Sequence, residues 1–340
     1  MNLSYRTRKR LMNLGITTLI LLLVAAVLWL CWIIWVGRYV VYHRDGPRLD
    51  FSVSPVIPEG VKAEWTTVRN PVKVYYNEPE IELPVVDKEP TRISGYYIDA
   101  EALKTDVEPL IAKLELLEDG TAVMLDLKDT KGRFFYSSNV SEHRHPDIDP
   151  ANVDRLIDFL LNADLYVVGR IPALCDYQFG LNNVSCGLPR KGGNGSLWQD
   201  DAGCYWLDPT KEGTVDFLNR QVMDLRLKGF DEVVFTDFRF PETENIQFEG
   251  EREPALADAA TKLVRRLTSD DFFLSFQTDD PAFALPEGNA RLYLADIPAA
   301  EISAVVEQVI TDDPALHILF LTTANDTRFD EYCVLRPFEY

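Results

Sequence analysis

The sequence is poor in basic residues: its 340 residues contain 34 Lys and Arg against 54 Asp and Glu. Five of these bases and no acid lie within residues 1–38, so the rest of the chain has 29 bases against 54 acids, a net charge of −25. Such a field repels a phosphate polymer, which excludes nucleic acid as the partner and disfavours anionic glycans. Neutral glycans are not excluded. The 46% hydrophobic content is typical of a folded globular protein.

Phosphate-binding glycine loops and paired zinc cysteines are also missing. No strand-like run is followed by G-x-G-x-x-G or G-x-x-x-x-G-K-[ST], which argues against an open, doubly wound nucleotide-binding sheet. No cysteines have C-x-x-C spacing, and one H-x-H, His143 and His145 in a polar loop, is more often solvated than metal-bound. We therefore predict no metal and no cofactor. Outside an apolar run that holds Cys31, four cysteines could stay free or pair in three ways that the sequence does not distinguish: Cys175, Cys186, Cys204 and Cys333.

One apolar run, from Leu14 to Val36, is long enough as a helix to cross a bilayer core of about 30 Å. Four basic residues between Arg6 and Arg10 precede it, and the positive-inside rule keeps such a cluster in the cytoplasm. A cleaved signal peptide would have an apolar region of about 7–15 residues and a small-x-small cleavage site, and neither is present. The sequence thus predicts a single-pass cell-membrane protein with a cytoplasmic tail (1–13), a transmembrane helix (14–36) and an extracytoplasmic remainder.

The segment that follows the apolar run is rich in proline. Seven prolines fall within residues 37–92 and break up short apolar stretches. Prolines at this density favour extended chain that spaces a domain from the membrane. We predict an extracytoplasmic stem over 37–92 and a folded domain over 93–340.

Strand-like and helix-like patterns alternate after residue 92, which implies parallel strands joined by crossover helices. Eight such units in about 250 residues match a closed (β/α)8 TIM barrel, an α/β fold. The predicted strands are 93–97, 122–127, 165–171, 232–237, 272–277, 291–295, 317–322 and 333–336. The predicted helices are 100–117, 151–162, 214–228, 254–268 and 299–310.

Polar side chains follow the predicted strands at their carboxyl ends, where TIM barrels carry their active sites. Charges at strand ends also occur simply because they meet solvent. Here, however, acids alternate with bases, as in a pocket where cations set the pKa values of catalytic carboxylates. The set comprises Asp126, Lys128, Asp129, Arg170, Asp176, Asp237, Arg239, Gln277 and Asp296.

The longest predicted loop, 172–213, carries aromatic residues, among them Trp198 and Trp206, with Gly and Asn. Loops of this length in compact domains are usually functional or disordered. Aromatic rings offer a stacking surface to a pyranose, although they could equally pack over the barrel rim.

Residues 229–241 read GFDEVVFTDFRFP. This run resembles the G-F-D-E-[IV]-x-F-D-Y-[IV]-R-F-P signature of a widespread bacterial family of inferred glycoside hydrolases. Residues 123–129, the Arg170 to Asp176 segment and the Trp206 to Pro209 segment resemble further motifs of that family in the same order. The resemblance, from residue 93 to the C-terminus, implies a barrel, a polysaccharide or cell-wall glycan as partner, and substrate contacts at Trp206 and Asp208.

The sequence departs from that signature at one position. Aligned without gaps, the family's strand Asp falls on Thr236 and its Tyr falls on Asp237. Because side chains alternate along a strand, a regular strand would turn Asp237 away from the family's site. Either a bulge restores the acid, or the catalytic acid has been lost or replaced.

Two functions therefore remain open. A membrane-anchored glycoside hydrolase would use Asp237 and Asp126 as its catalytic pair, with Asp296 or Asp176 as substitutes for the second acid. The substrate-binding residues would be Lys128, Asp129, Arg170, Asp176, Trp206, Asp208, Arg239, Gln277 and Asp296. The alternative is a barrel that binds glycan or cell wall without cleaving it, which the Thr236 departure favours.

Overall fold

The computed structural model describes residues 18, 22–30, 32, 40–43, 46–49, 91–268 and 271–339. The chain divides into two units, Met1–Ile81 and Glu82–Tyr340. In the first, residues 22–30 are helical, and β1 (Val40–His43) pairs antiparallel with β2 (Gly46–Leu49). No helix among the described residues is long and apolar enough to span a membrane. The predicted tail, part of the predicted 14–36 span and most of the predicted stem lie outside the described residues.

The second unit is an eight-stranded barrel. All neighbouring strands are parallel, and β10 closes the ring by pairing with both β3 and β9. The eight predicted strands are confirmed, and each predicted first or last residue lies within one residue of the observed one. They are β3 (Ser94–Ile98), β4 (Ala122–Asp126), β5 (Tyr166–Pro172), β6 (Glu232–Thr236), β7 (Phe273–Gln277), β8 (Leu292–Ala295), β9 (Ile318–Leu321) and β10 (Cys333–Pro337).

Helices occupy most of the connections between the strands, as predicted. They are α1 (Glu108–Leu114), α2 (Pro150–Asn162), α3 (Tyr177–Asn182), α4 (Glu212–Lys228), α5 (Arg252–Leu267), α6 (Ile302–Val306) and α7 (Pro314–His317), with 3-10 turns at Ala102–Lys104, Val184–Cys186 and Thr327–Glu331. The helix predicted over 100–117 is divided because Thr105 is extended. Helix α1 begins one residue before Pro109, a position where the N–H that proline lacks would have no partner within the helix. The helix predicted over 299–310 is shorter than expected.

Side chains of the strands alternate between the barrel interior and the surrounding helices. On β4, Ala122 and Met124 belong to the interior cluster, whereas Val123 and Leu125 pack in the layer between strands and helices. This alternation continues to the strand ends. It therefore places Asp126 of β4 and Arg170 of β5 on the inward face at the carboxyl end of the barrel.

The amino end of the barrel interior is filled by a polar network around Glu232, which is fully buried. Its carboxylate accepts hydrogen bonds from Tyr166 Oη at 3.0 Å and Tyr293 Oη at 2.9 Å. Ser275 Oγ and the Arg291 guanidinium also donate to it. Both carboxylate oxygens of Glu232 are thus engaged by hydrogen bonds at the amino end of the barrel. Glu232 therefore stabilises that end, and the candidate site is to be sought at the carboxyl end.

Candidate functional site

An ion pair between neighbouring strands occupies the carboxyl end of the barrel interior. Arg170 Nε and Nη2 donate to Asp126 Oδ1 at 2.5 Å and Oδ2 at 3.0 Å, a bidentate arrangement. Asp126 Oδ2 also accepts from the backbone N–H of Ala100 at 3.1 Å. Arg170 Nη1 donates to Gln277 Oε1 at 3.4 Å. The structure thus brings three predicted site residues, from β4, β5 and β7, into direct contact.

Tyr97 extends this cluster on the β3 side. Burial raises the pKa of its phenol, the nearby Arg170 lowers it, and Asp296, Asp99 and Asp126 raise it further. The neutral phenol is therefore kept as a hydrogen-bond donor near the acids. Asp296 follows β8 directly and has a left-handed backbone with φ of 55°.

Asp237 also has a left-handed backbone, with φ of 52°. Strand β6 ends at Thr236, so the regular alternation that would have turned Asp237 outward does not reach it. Thr236 Oγ1 lies 3.3 Å from Asp237 Oδ2 as a hydrogen-bond donor, although adjacent strand residues normally point to opposite faces. The left-handed backbone of Asp237, rather than a bulge, brings its carboxylate beside Thr236, the position at which the family signature has Asp.

Burial raises the pKa of the Asp237 carboxyl above its ordinary value. The Arg239 guanidinium and the Thr236 hydroxyl oppose this shift, while Asp200 and Asp279 add to it. A carboxyl that holds its proton more strongly suits a general acid better than a nucleophile.

Two neighbouring pockets form a groove lined in part by Arg239, Asp200 and Asp279, three residues that act electrostatically on Asp237. The first pocket, of about 400 Å³, has Trp198, Asp200 and Trp206 in its lining. The second, of about 750 Å³, extends from it towards Phe283. Both pockets are lined by the same four residues where they meet: Arg239, Pro241, Glu242 and Asp279. A groove of this volume, lined by aromatic and acidic residues, can accept more than one sugar unit.

The two tryptophans of the groove differ in accessibility. Trp206 is only 4% exposed, its Nε1 donates to Asp200 Oδ2 at 3.0 Å, and the Arg239 guanidinium lies 5.1 Å from its ring centroid. Trp198 is half-buried and lines the same pocket. Trp198 therefore offers more free ring surface than the predicted Trp206.

Lys128 and Asp176 form a sealed ion pair. Lys128 Nζ lies 2.7 Å from Asp176 Oδ2, and the side chains are 0% and 1% exposed. Lys128 also donates to the carbonyl of Pro172 at 3.2 Å, and Asp176 Oδ1 accepts from the Phe179 N–H at 2.7 Å, capping α3. With both charges enclosed, the geometry gives this pair a structural role.

Two further predicted acids organise loops. Asp129 accepts from Arg133 Nε at 2.7 Å and from the Arg133 backbone at 2.9 Å. Asp208, 6% exposed, accepts from the backbone and hydroxyl of Thr210 at 2.9 and 2.6 Å, which fixes the turn before α4. The structure does not bring either residue into the Asp126 cluster or the lining of the groove.

Sequence reasoning missed Tyr97, Asp200 and the thiols beside Asp200. Tyr97 lies near the end of a strand, so the argument used for the other strand ends could have found it. Asp200 approaches Trp206 and Asp237 only through the folded loop, and no spacing in the sequence indicates this. Cys175, Cys186, Cys204 and Cys333 are all free and buried.

Residues 95–274 match the family described as "Putative glycosyl hydrolase domain". The match covers more than half of the chain. The chain belongs to this family. The family resemblance predicted from residues 229–241 is thereby confirmed, and the match includes the Asp126, Arg170 and Asp237 positions.

Solved structures that the chain matches include a hypothetical protein from Ruminiclostridium thermocellum, at 20% identity and a TM-score of 0.46, covering 54% of this chain and 96% of that one. The glycoside hydrolase domain of PelA from Pseudomonas aeruginosa has 14% identity, a TM-score of 0.43 and coverages of 73% and 95%. A GH20 exo-β-N-acetylglucosaminidase from Vibrio harveyi has 8% identity, a TM-score of 0.46 and coverages of 73% and 50%. Similarities this low say nothing about substrate. No curated protein matches the sequence.

Proposed function

We propose that the chain is a membrane-anchored glycoside hydrolase that cleaves a cell-surface or environmental polysaccharide outside the cytoplasm. The observation that carries this proposal is Asp237, a strand-end acid with a left-handed backbone whose pKa is raised by burial, and on which the groove residues Arg239, Asp200 and Asp279 act electrostatically. Membership of a glycosyl hydrolase family supports the reaction class.

In this mechanism Asp237 protonates the glycosidic oxygen as the bond to the anomeric carbon breaks. Asp126, paired with Arg170, is the ionised partner, either activating a water or attacking the anomeric carbon. Asp296 is the substitute for Asp126, since it directly follows β8 with a left-handed backbone, as Asp237 follows β6, and acts electrostatically on Tyr97. The phenol of Tyr97 and the amide of Gln277 are placed to bind sugar hydroxyls.

Reducing-end release from a panel of bacterial and plant polysaccharides tests the reaction with the full chain in mild detergent. We expect Asp237→Asn to lose about 10²–10⁴-fold in turnover, the usual contribution of a general acid, while glycan binding is retained. Asp126→Asn should lose comparable activity, and Asp296→Asn should do so instead if it is the partner. Asp312→Asn, an exposed acid before β9 at the opposite end of the barrel, is the control. Wild-type turnover in a folded Asp237→Asn variant would exclude the assigned role.

The proposed anchor is the apolar run 14–36 with basic residues ahead of it. In the helical stretch 22–30 the apolar side chains are exposed, including Leu28 at 65% and Trp29 at 63%, which suits contact with lipid. Protease added to intact cells or spheroplasts should remove an epitope at residue 340 and spare one at residue 1. Protection of the C-terminal epitope would reverse the topology.

The second candidate is a glycan- or wall-binding barrel without turnover. It is favoured by one observation, the Thr at position 236 where the family signature has Asp. In that case the chain is retained on a glycan column and releases no reducing ends, and Asp237→Asn leaves retention unchanged.

A further inference from the structure

Two cysteines and an aspartate converge behind the wall of the groove. The backbones of Cys175 and Trp206 form an antiparallel bridge. Cys204 lies two residues before Trp206, so in extended chain their side chains share one face. The sulfur atoms of Cys175 and Cys204 and a carboxylate oxygen of Asp200 all lie within 4.8 Å of one another. The two cysteines are 3% and 0% exposed.

The carboxylate of Asp200 is fixed in place by neutral donors. Its Oδ1 accepts from the Cys204 N–H at 2.8 Å, and its Oδ2 accepts from Trp206 Nε1 at 3.0 Å. Across the described part of the chain, Asp200 forms no ion pair with a Lys, Arg or His. Asp237 lies near enough to Cys175 to act on it electrostatically. The cluster is therefore rich in potential negative charge.

We propose that Cys175, Cys204 and Asp200 form a binding site for a thiolate-preferring divalent cation, with Zn²⁺ as the best fit. Zn–S bonds of about 2.3 Å and Zn–O bonds of about 2.1 Å in a tetrahedron place donor atoms about 3.6–3.8 Å apart. The 3.9 Å between Cys175 Sγ and Asp200 Oδ2 comes close to this separation. Binding releases both thiol protons to solvent, and water completes the fourth position.

A cation here would connect the two ends of one long loop. Cys175 lies just after β5, whereas Asp200 and Cys204 lie 25 and 29 residues later, directly before Trp206. The site would thus hold the Trp198 and Trp206 wall of the groove against the barrel. Two thiolates and one carboxylate around a divalent cation carry a net charge of about −1, so Asp237 would still be disfavoured as an anion.

Zinc content tests the site in the full chain, purified with reductant, incubated with Zn²⁺ and desalted. We expect about one tightly held zinc per chain, and Co²⁺ in its place should give thiolate-to-metal charge-transfer absorption in the near ultraviolet. Cys175→Ser/Cys204→Ser should retain only background zinc. The matched control Cys186→Ser/Cys333→Ser also removes two buried thiols and should bind like wild type. Asp200→Asn removes the carboxylate charge and keeps only one of the two acceptor oxygens, and it should weaken zinc binding at least about tenfold.

Circular dichroism and thermal unfolding accompany each variant. If the Cys175→Ser/Cys204→Ser protein does not fold, the cobalt absorption of wild type and its loss in Asp200→Asn still decide the question. Wild-type protein with reduced thiols that holds no more zinc than the double variant would overturn the proposal. An intact mass lower by two hydrogens, with a Cys175–Cys204 disulfide and no zinc binding after reduction, would also overturn it.

Discussion

Replacing Lys128 by Met removes the ammonium from the sealed pair with Asp176 and leaves a carboxylate enclosed at 1% exposure. The Oδ2 atom of Asp176 has no hydrogen-bond partner to take over from the ammonium at 2.7 Å. At that distance and an effective dielectric constant of about 20, the attraction is about 6 kcal/mol before desolvation is subtracted. Breaking buried pairs from one side typically costs about 3–5 kcal/mol, which in a domain of this size lowers Tm by about 6–20 °C.

Thermal and urea unfolding of Lys128→Met, Asp176→Asn and the double variant measure this cost. The double variant should be more stable than Lys128→Met, because Asn can still accept from the Phe179 N–H and no charge is left unpaired. A Tm for Lys128→Met within about 2 °C of wild type would refute the reasoning. If the folded double variant keeps its Tm but loses glycan affinity, the pair contacts substrate after all.

Three other changes have defined outcomes. Because burial raises the pKa of Asp237, ionisation of this carboxyl destabilises the folded state as pH rises through that pKa. Asp237→Asn should therefore have a higher Tm than wild type at neutral pH, and the difference in Tm should disappear in acid. Equal Tm values at pH 7 would contradict this. Trp198→Ala should weaken glycan binding about tenfold in affinity titrations, because the lost stacking surface is worth about 1.4 kcal/mol. Equal binding by Trp198→Ala and wild type would remove Trp198 from the site. Trp206→Ala, in contrast, should mainly lower stability, by about 3–5 kcal/mol in urea unfolding. Gly95→Ala should destabilise β3 against β4 by about 1–3 kcal/mol or more in the same assay, since a Cβ there would lie 1.9 Å from the carbonyl oxygen of Ala122; unchanged stability would show that the strands can separate freely.

The barrel and part of its site were predictable because their signals are local. Alternation of apolar residues with period two marks a strand wherever it occurs, and eight marked strands separated by helical patterns leave few closed arrangements. The same alternation, continued to strand ends, places Asp126 and Arg170 on neighbouring inward positions. Their contact follows from parallel pairing of β4 with β5, in which these two residues are partners.

What only the tertiary structure decided concerns residues that meet across loops or leave regular geometry. The sequence marks Asp237 as a shifted acid, but its left-handed turn depends on what surrounds the end of β6. Lys128 reads as an accessible strand-end base, yet the fold seals it against Asp176. Cys175, Asp200 and Cys204 have no recognisable spacing because their approach depends on how a long loop folds back on itself. Periodicity reports which face a residue takes within its own element, whereas contacts between distant segments depend on packing that no local pattern encodes.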